Sequence, residues 1–574
     1  MPKDTNAPDT LRVSIGQFSS AGRKPENQDF HGALIPEGEA LALKGITLAV
    51  ADGISSSRVS AEAAETAVKA LLADYYATPD SWTARTAATR VIAATNAWLH
   101  GQNNSVGDIN QGRVCTLSAL IAKGHEAHVL HIGDSRVSRL TGASLEPLTT
   151  DHRLALSAEE CYLGRALGID ATVEIDYRRV PLSVGDIFLL STDGVHDFIT
   201  GTMVRDAAAT GDLDQAARQL ADGALRAGSR DNLTVQILRV DALPDGADAL
   251  GTDAARLPVP PLPRPGDNID GFCIHRQIHA TARSHVYLAT GAQGRDVALK
   301  IPATEMAQDE DYLRRFVLED WIARRIRSPH VLRAAARAGR PTALYAVTEL
   351  VRGVTLRQWM TDNPAPPLDR VRDIAAQIAA GLRALHRREM VHQDLRPENI
   401  MIDASGTVTI IDLGSAAVAG VEEARPGLLG QLPGTYQYTA PEYFAGDAIS
   451  WRSDQYALGV ILYEMLCGRL PYGTQVAQVR SRRDQARLTY RSARDDDSTL
   501  PAWIDMTLRR ATHPDPLRRY DALSEFVADL RRPGADWRAA RHVPLVQRNP
   551  VQFWQSVSAI LALLCLVMAV RMGG

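Results

Sequence analysis

The run Val391-His392-Gln393-Asp394-Leu395-Arg396-Pro397-Glu398-Asn399 decides how the second half of this chain reads. It places a carboxylate and an amide five residues apart, at Asp394 and Asn399. A second carboxylate, Asp412, follows Thr409-Ile410-Ile411 and precedes Leu413-Gly414. Upstream, Lys300 ends the apolar strand Val297-Ala298-Leu299-Lys300, where a buried point charge suits a phosphate. Glu319 lies nineteen residues beyond it, in Phe316-Val317-Leu318-Glu319, and is placed to pair with that lysine. Two carboxylates and an amide converging with a lysine suit metal–ATP and a hydroxyl acceptor.

These segments, in this order over residues 269–533, resemble the eukaryotic-like protein kinase fold. Thr348 matches the residue before the hinge, and Glu349 to Val351 match the hinge. Gly434-Thr435 and Ala440-Pro441-Glu442 close the activation segment. Asp454 matches the helix anchor of the large lobe, and Arg519 the late arginine that pairs with Glu442. The resemblance implies ATP and Mg²⁺. Lys300 should hold the α/β-phosphates, positioned by Glu319. Asp394 should orient the substrate hydroxyl and accept its proton, and Asn399 and Asp412 should bind Mg²⁺. Arg396 stands where a lysine usually lies near the γ-phosphate. Ile278, Val286, Ala298, Glu349 and Val351 should line the nucleotide. Two departures stand out. His279, Thr281 and Ser284 occupy the three glycine places of the phosphate loop, which limits close backbone approach. Gln393 replaces the arginine that meets a phosphorylated activation loop. Those departures keep a second reading open, a pseudokinase that regulates a neighbouring domain.

Residues 241–268 precede this unit and hold six prolines and three glycines, so they read as an extended linker. The first 240 residues alternate short apolar strands with amphipathic helices. Strands are expected at 47–51, 128–132, 187–190 and 233–240, and a helix at 61–75. Asp52, Asp134, Asp193 and Asp231 each stand where a strand breaks, three of them beside glycine. A hard divalent cation needs carboxylate oxygens from several separate elements. Asp at one strand end is an ordinary turn former, but four such positions form a pattern.

With Gly22-Arg23, Asn27-Gln28-Asp29, Leu148-Thr149-Thr150-Asp151-His152 and Asp231-Asn232-Leu233-Thr234, this set resembles the metal-dependent protein phosphatases of the PPM type (protein phosphatase 2C). The resemblance implies a β-sandwich flanked by helices with two Mn²⁺ or Mg²⁺ ions at one end. Asp52 should bridge both ions and Gly53 should lend its carbonyl. Asp193 and Asp231 should complete one ion, Asp29 should hold bound water, and Asp134 matches a third, weaker site. Arg23 should bind the phosphate with its planar fork. Here too the chain departs from the pattern. Arg23 and Asp29 are six apart rather than five, and Gln28 replaces a glutamate. Ile54-Ser55-Ser56 lacks the histidine that serves as general acid in eukaryotic members.

The chain has 574 residues, 45% hydrophobic and 23% charged, which fits several globular domains. A net charge of −4 gives no sign of a general nucleic-acid binder. Five scattered cysteines without a C-x-x-C pair suit a reducing compartment. Only six of the 63 Lys plus Arg residues are lysine, and Lys300 is the only one after Lys123. A lysine kept against that bias marks a place where arginine will not serve. Residues 553–570 carry no charge and just reach the length of a membrane span, with Arg538, Arg541 and Arg548 in the basic stretch 534–552 before them.

The expected fold class is therefore multidomain α+β: a PPM-type sandwich over 1–240, a linker, a bilobal kinase fold over 269–533, and a single transmembrane helix. The expected protein is a bifunctional Ser/Thr kinase and phosphatase anchored in the inner membrane, with both domains in the cytoplasm. Its partners are Ser/Thr and phospho-Ser/Thr proteins, the membrane, and the chain itself through Ser415, Thr435 and Thr439; no nucleic acid is expected.

Overall fold

The computed structural model describes residues 10–104, 108–155, 161–244, 257–291, 294–337, 339, 341–424, 437–446, 449–494, 499–534 and 550–572. In chain order the first unit holds β1 (Arg12–Ser20), β2 (Asp29–Leu34), α1 (Gly38–Lys44), β3 (Ile46–Asp52), α2 (Ser60–Ala77) and α3 (Ala84–Asn103). Next come β4 (Leu117–Lys123), β5 (Glu126–Ile132), β6 (Arg136–Thr141), β7 (Ser144–Pro147), β8 (Arg153–Ala155), β9 (Cys161–Leu163), β10 (Asp176–Pro181) and β11 (Ile187–Ser191). It closes with α4 (Asp193–His196), α5 (Gly201–Ala208), α6 (Leu213–Arg226) and β12 (Leu233–Ala242).

Two five-stranded sheets form, in the orders β1-β12-β11-β6-β7 and β10-β5-β4-β3-β2. Alternation along β3 explains the layers. Leu48 and Val50 face Phe188, Leu190 and Leu238 of the opposite sheet. Ala49 and Ala51 face the helix side, against Ala63, Ala67 and Leu71 of α2. The small alanines let α2 lie close to the sheet. On the far side α6 covers Leu189, Val235 and Ile237 through Ala216, Ala217 and Leu220. Strands covered on both faces carry long apolar runs, as at 48–51 of β3, 119–122 of β4 and 187–190 of β11.

The second unit begins with β13 (Asn268–Ile269), β14 (Phe272–Ala280), β15 (Ser284–Thr290), β16 (Asp296–Pro302), α7 (Glu310–Arg325) and β17 (Ala346–Glu349). These strands make one antiparallel sheet in sequence order, with α7 packed on it. A mainly helical lobe follows: β18 (Gly353–Thr355), α8 (Leu356–Asp362), α9 (Leu368–His386), β19 (Met390–Val391), β20 (Ile400–Asp403), β21 (Val408–Ile410), β22 (Ala417–Val418) and α10 (Ala419–Ala424). It ends with α11 (Glu442–Ala445), α12 (Trp451–Cys467), α13 (Arg482–Gln485), α14 (Ala502–Ala511) and α15 (Leu523–Arg531). Helix α12 is its centre, buried almost all round, capped by Ser450 and ended by Gly468 in the left-handed region. Between the units, Leu257 and Val259 lie against the second unit's core, and Pro258 accepts a hydrogen bond from the Leu344 amide at 2.9 Å.

The last helix, α16 (Pro550–Met572), corrects one expectation. Among the described residues no helix is long and apolar enough to cross a membrane. Gln552, Gln555, Ser556 and Ser558 break the apolar run in its first half. The expected transmembrane helix at 553–570, and with it the single-pass anchor in the inner membrane, is therefore not supported. Arg538, Arg541 and Arg548 lie outside the described residues.

Candidate active sites

In the first unit several strand ends meet at one end of the sandwich. Asp29 opens β2 directly across from Asp52, which closes β3. Asp193 follows β11, and Asp231 precedes β12, the neighbour of β11. Two glycines are required by close approach. A Cβ on Gly53 would stand 2.7 Å from the Ser60 carbonyl carbon, and one on Gly194 would stand 2.0 Å from the Asn232 oxygen.

The carboxylates here burden one another. Burial pushes Asp29 up to about 6 and, with Asp134 and Asp231, pushes Asp193 up to about 7. Burial and then Asp29, Asp193, Asp134 and Asp231 raise Asp52 well above the usual carboxylate range. Thr192 Oγ1 donates to Asp29 Oδ2 at 2.9 Å, and the buried Asp29 Oδ1 has no partner. Several crowded carboxylates with an orphaned oxygen fit a divalent cation. Among the described residues, however, no three His, Cys, Asp or Glu side chains already converge on one ion-sized point.

Two side-chain cations take part of that negative charge. Lys24 Nζ lies 2.8 Å from Asp231 Oδ1, and Arg153 reaches Asp134 at 2.8 Å and Asp193 at 2.9 Å. Arg23 itself is exposed on the β1–β2 loop. Asn232 shapes that loop, donating to the Ala21 and Glu26 carbonyls and accepting from the Gln28 amide. The sequence reading missed Lys24, Arg153 and the role of Asn232. Lys24 carried a usable signal as one of six lysines, whereas Arg153 is one arginine among many.

In the second unit, alternation along β16 sends Val297, Leu299 and Ile301 into the sheet's core. Ala298 and Lys300 are left on the other face. Lys300 Nζ donates to both Glu319 oxygens, at 2.9 and 2.7 Å, and lies 3.7 Å from Asp412. Burial opposes its charge, but Glu319 and Asp412 outweigh it and hold the ammonium above its ordinary range. Asn399 Nδ2 donates to the Asp394 carbonyl at 2.9 Å and to its carboxylate at 3.1 Å.

Burial raises Asp394, while Lys300 lowers Asp412. Opposite shifts on neighbouring carboxylates separate a proton acceptor from a cation ligand. Asp412 and Gln393 hold left-handed backbone at φ 59° and 67°, rare for such residues. Asp454 fixes that segment by accepting from the His392 and Gln393 amides at 2.9 and 3.0 Å and from His386 at 2.8 Å.

Other expected residues stand as follows. Glu349 pairs with Arg333, across from Val297 in the sheet, and Thr348 lies across from Ala298. Ile278 is exposed; Val286 and Val351 are half-buried. Arg396 approaches Glu398 at 3.5 Å. In the loop without glycine, Thr281 Oγ1 accepts from the Arg283 and Ser284 amides, and the Thr281 amide donates to the Ser284 carbonyl. Arg519 meets Glu442 with two 2.7 Å bonds in full burial. Gly434 and Thr435 lie outside the described residues, and Thr439 is buried.

Comparison with known proteins follows this division. Residues 19–234 match the Protein phosphatase 2C family model, and residues 274–529 match the Protein kinase domain model. The chain is 30% identical over 270 residues to the serine/threonine-protein kinase PrkC of Bacillus subtilis, covering 46% of this chain and 41% of that kinase. It is 37% identical over 196 residues to PknA of Corynebacterium glutamicum, covering 33% and 41%. It thus spans about two fifths of the length of these relatives. Among solved structures, it is 26% identical to the PPM Ser-Thr phosphatase MsPP of Mycobacterium smegmatis, covering 40% of this chain and 99% of that one, with a TM-score of 0.33. The chain carries two family domains in tandem, a protein phosphatase 2C domain and, after it, a protein kinase domain.

Proposed function

We propose that the chain is a bifunctional enzyme that phosphorylates serine and threonine on proteins and hydrolyses phosphoserine and phosphothreonine. The observation that carries the kinase half is the closed Lys300–Glu319 pair beside Asp412. Lys300 binds the α/β-phosphates of ATP, and Asn399 and Asp412 would hold Mg²⁺. Asp394 orients the acceptor hydroxyl and takes its proton, a task its raised affinity for protons suits. In the phosphatase half, Asp52, Asp193, Asp231 and the Gly53 carbonyl would hold Mn²⁺ or Mg²⁺, with Asp29 and Asp134 beside them. Such ions supply positive charge against phosphoryl oxygens and acidify water. Arg23, on the loop shaped by Asn232, orients the phosphoryl group.

A second reading, a phosphatase regulated by a pseudokinase, is favoured by the side chains at His279, Thr281 and Ser284. The phosphatase half is tested by hydrolysis of a phosphothreonine peptide by the full chain with Mn²⁺. Asp52→Asn is expected to lower the rate by roughly 10²–10³-fold, the scale of losing one preorganised electrostatic group. Equal rates for Asp52→Asn and wild type, insensitive to a chelator, would contradict it.

A further inference from the structure

We propose that the phosphatase domain is a docked partner of the kinase domain that holds helix α7 and the α10 segment in the arrangement that binds nucleotide. Its α1 and the α2–α3 loop are thus positioning elements of the kinase. The inference rests on the kinase reading above and adds who sets the geometry of its site.

The contacts fall on two elements beside the kinase site. The first is the C-terminal turn of α7, the helix that carries Glu319. Glu39 Oε1 of α1 accepts from Trp321 Nε1 at 2.8 Å and from Arg325 at 2.5 Å. Asp80 of the α2–α3 loop takes Arg325 at 3.3 Å. Trp321 stands two residues beyond Glu319 on the same helix, so the clamp holds the element that carries the Lys300 partner. Leu43 of α1 is fully buried in the kinase domain's hydrophobic core.

The second element is α10, which starts seven residues after Asp412. The Gly420 amide donates to the Ser81 carbonyl at 2.9 Å, and Lys123 Nζ donates to the Gly420 carbonyl at 2.9 Å. A Cβ on Gly420 would lie 2.7 Å from the Asp80 and Trp82 oxygens, so only glycine permits this approach. Glu423 accepts from Lys123 at 2.9 Å and from the Ala84 amide at 2.7 Å. Nearby, Glu389 accepts from the Thr83 amide at 3.0 Å and from Thr86 Oγ1 at 2.7 Å.

The kinase's Glu389 and Glu423 therefore satisfy free amides at the N-terminus of the phosphatase helix α3, where negative charge is favoured. Glu389 does so from left-handed backbone, φ 54°, a conformation that costs a non-glycine residue energy. Lys44 holds the α2–α3 loop itself, donating to Thr78 Oγ1 at 2.7 Å and the Pro79 carbonyl at 2.8 Å.

Physical chemistry gives the contact its persistence and its sign. The Lys123 and Glu423 side chains are 0% and 9% exposed, and separating them would leave buried charge uncompensated. In the docked arrangement the Lys300–Glu319 pair is closed. A partner that binds one arrangement shifts the population toward it, so docking favours the closed site. By reciprocity, nucleotide strengthens docking.

The test uses the full chain with Glu39→Ala, which removes the hold of α1 on Trp321 and Arg325, and Gly420→Val, which wedges the α10 contact. Neither residue belongs to either catalytic set. Four quantities are read: KM and kcat for ATP, affinity for a non-hydrolysable ATP analogue, and amide exchange over 310–325 and 417–424. Both variants are expected to raise KM and weaken the analogue by about fivefold or more, the usual scale of coupling between sites. Exchange should quicken in both windows, while hydrolysis of p-nitrophenyl phosphate stays unchanged. Unchanged affinity and exchange, or a gain in kinase activity, would overturn the proposal. A wild type that transfers no more label than Asp394→Asn defeats the kinase reading alone. The affinity and exchange measurements then still decide the docking proposal.

Discussion

Lysine is scarce in this chain, and three of its six lysines, Lys44 and Lys123 buried and Lys300 half-buried, stand at points that matter. Lys300 closes on Glu319, Lys123 joins the two domains, and Lys44 ties down the loop that reaches the kinase. An ammonium is compact and aims three donors freely, whereas a guanidinium is a wide planar fork. Lys300→Arg is accordingly expected to leave thermal stability within about 1 kcal/mol of wild type. Phosphoryl transfer should fall by roughly 10²-fold, the scale of a misplacement near 1 Å. A calorimetric melt and label transfer from γ-labelled ATP measure the two, and full activity in this variant would count against Lys300 as the phosphate ligand. The pairing of Lys300 with Glu319 was legible because an apolar run leads into each of them, nineteen residues apart. That of Lys123 was not, since Gly420 and Glu423 stand 297 and 300 residues further along the chain. No local pattern encodes such a partner.

Strands were more legible than anything else at the scale of elements. Those expected at 47–51, 128–132, 187–190 and 233–240 appear as β3, β5, β11 and β12 with ragged ends. Their apolar runs are bounded by turn residues, and burial on both faces leaves no competing period. The tail expectation fails because Gln555, Ser556 and Ser558 interrupt an uncharged stretch that only just reaches the length of a span. The β14–β15 hairpin shows what composition could not: Thr281 closes the turn with its own hydroxyl. Strand β5 carries a pH dependence. Burial, then the neighbouring His152, lowers His131 to about 4, against Asp176 and Asp151, which raise it. Its folded pKa lies below the unfolded value near 6.5, so the unfolded chain binds more protons between these pH values. Stability is fully present above about 6.5 and is lost as pH falls toward 4, by roughly 2–3 kcal/mol for this group. Urea unfolding at pH 7 and pH 4.5 should show that loss, and His131→Asn should reduce it. An unchanged pH slope in the variant would contradict a neutral buried imidazole.

Taken whole, the molecule joins a protein phosphatase 2C domain and a protein kinase domain through a Pro-rich segment and a direct contact. A short tether already raises the effective concentration of one site for the other to about the mM range. The docked arrangement adds geometry to proximity, since the phosphatase touches the kinase at the helix carrying Glu319 and just beyond Asp412. That two family domains share one chain was legible from separated motif sets. That the two domains pack through buried charge was not, because the pairing depends on residues drawn from remote positions. The central claim, two opposing activities in one chain, meets its most direct test in one labelling experiment. Wild type, Asp52→Asn and the double variant Asp52→Asn with Asp394→Asn are incubated with γ-labelled ATP and divalent cation, and label on the chain is followed with time. Two active domains predict most label on Asp52→Asn, less on wild type and none on the double variant. Equal label on wild type and Asp52→Asn, or label that survives loss of Asp394, would contradict the account.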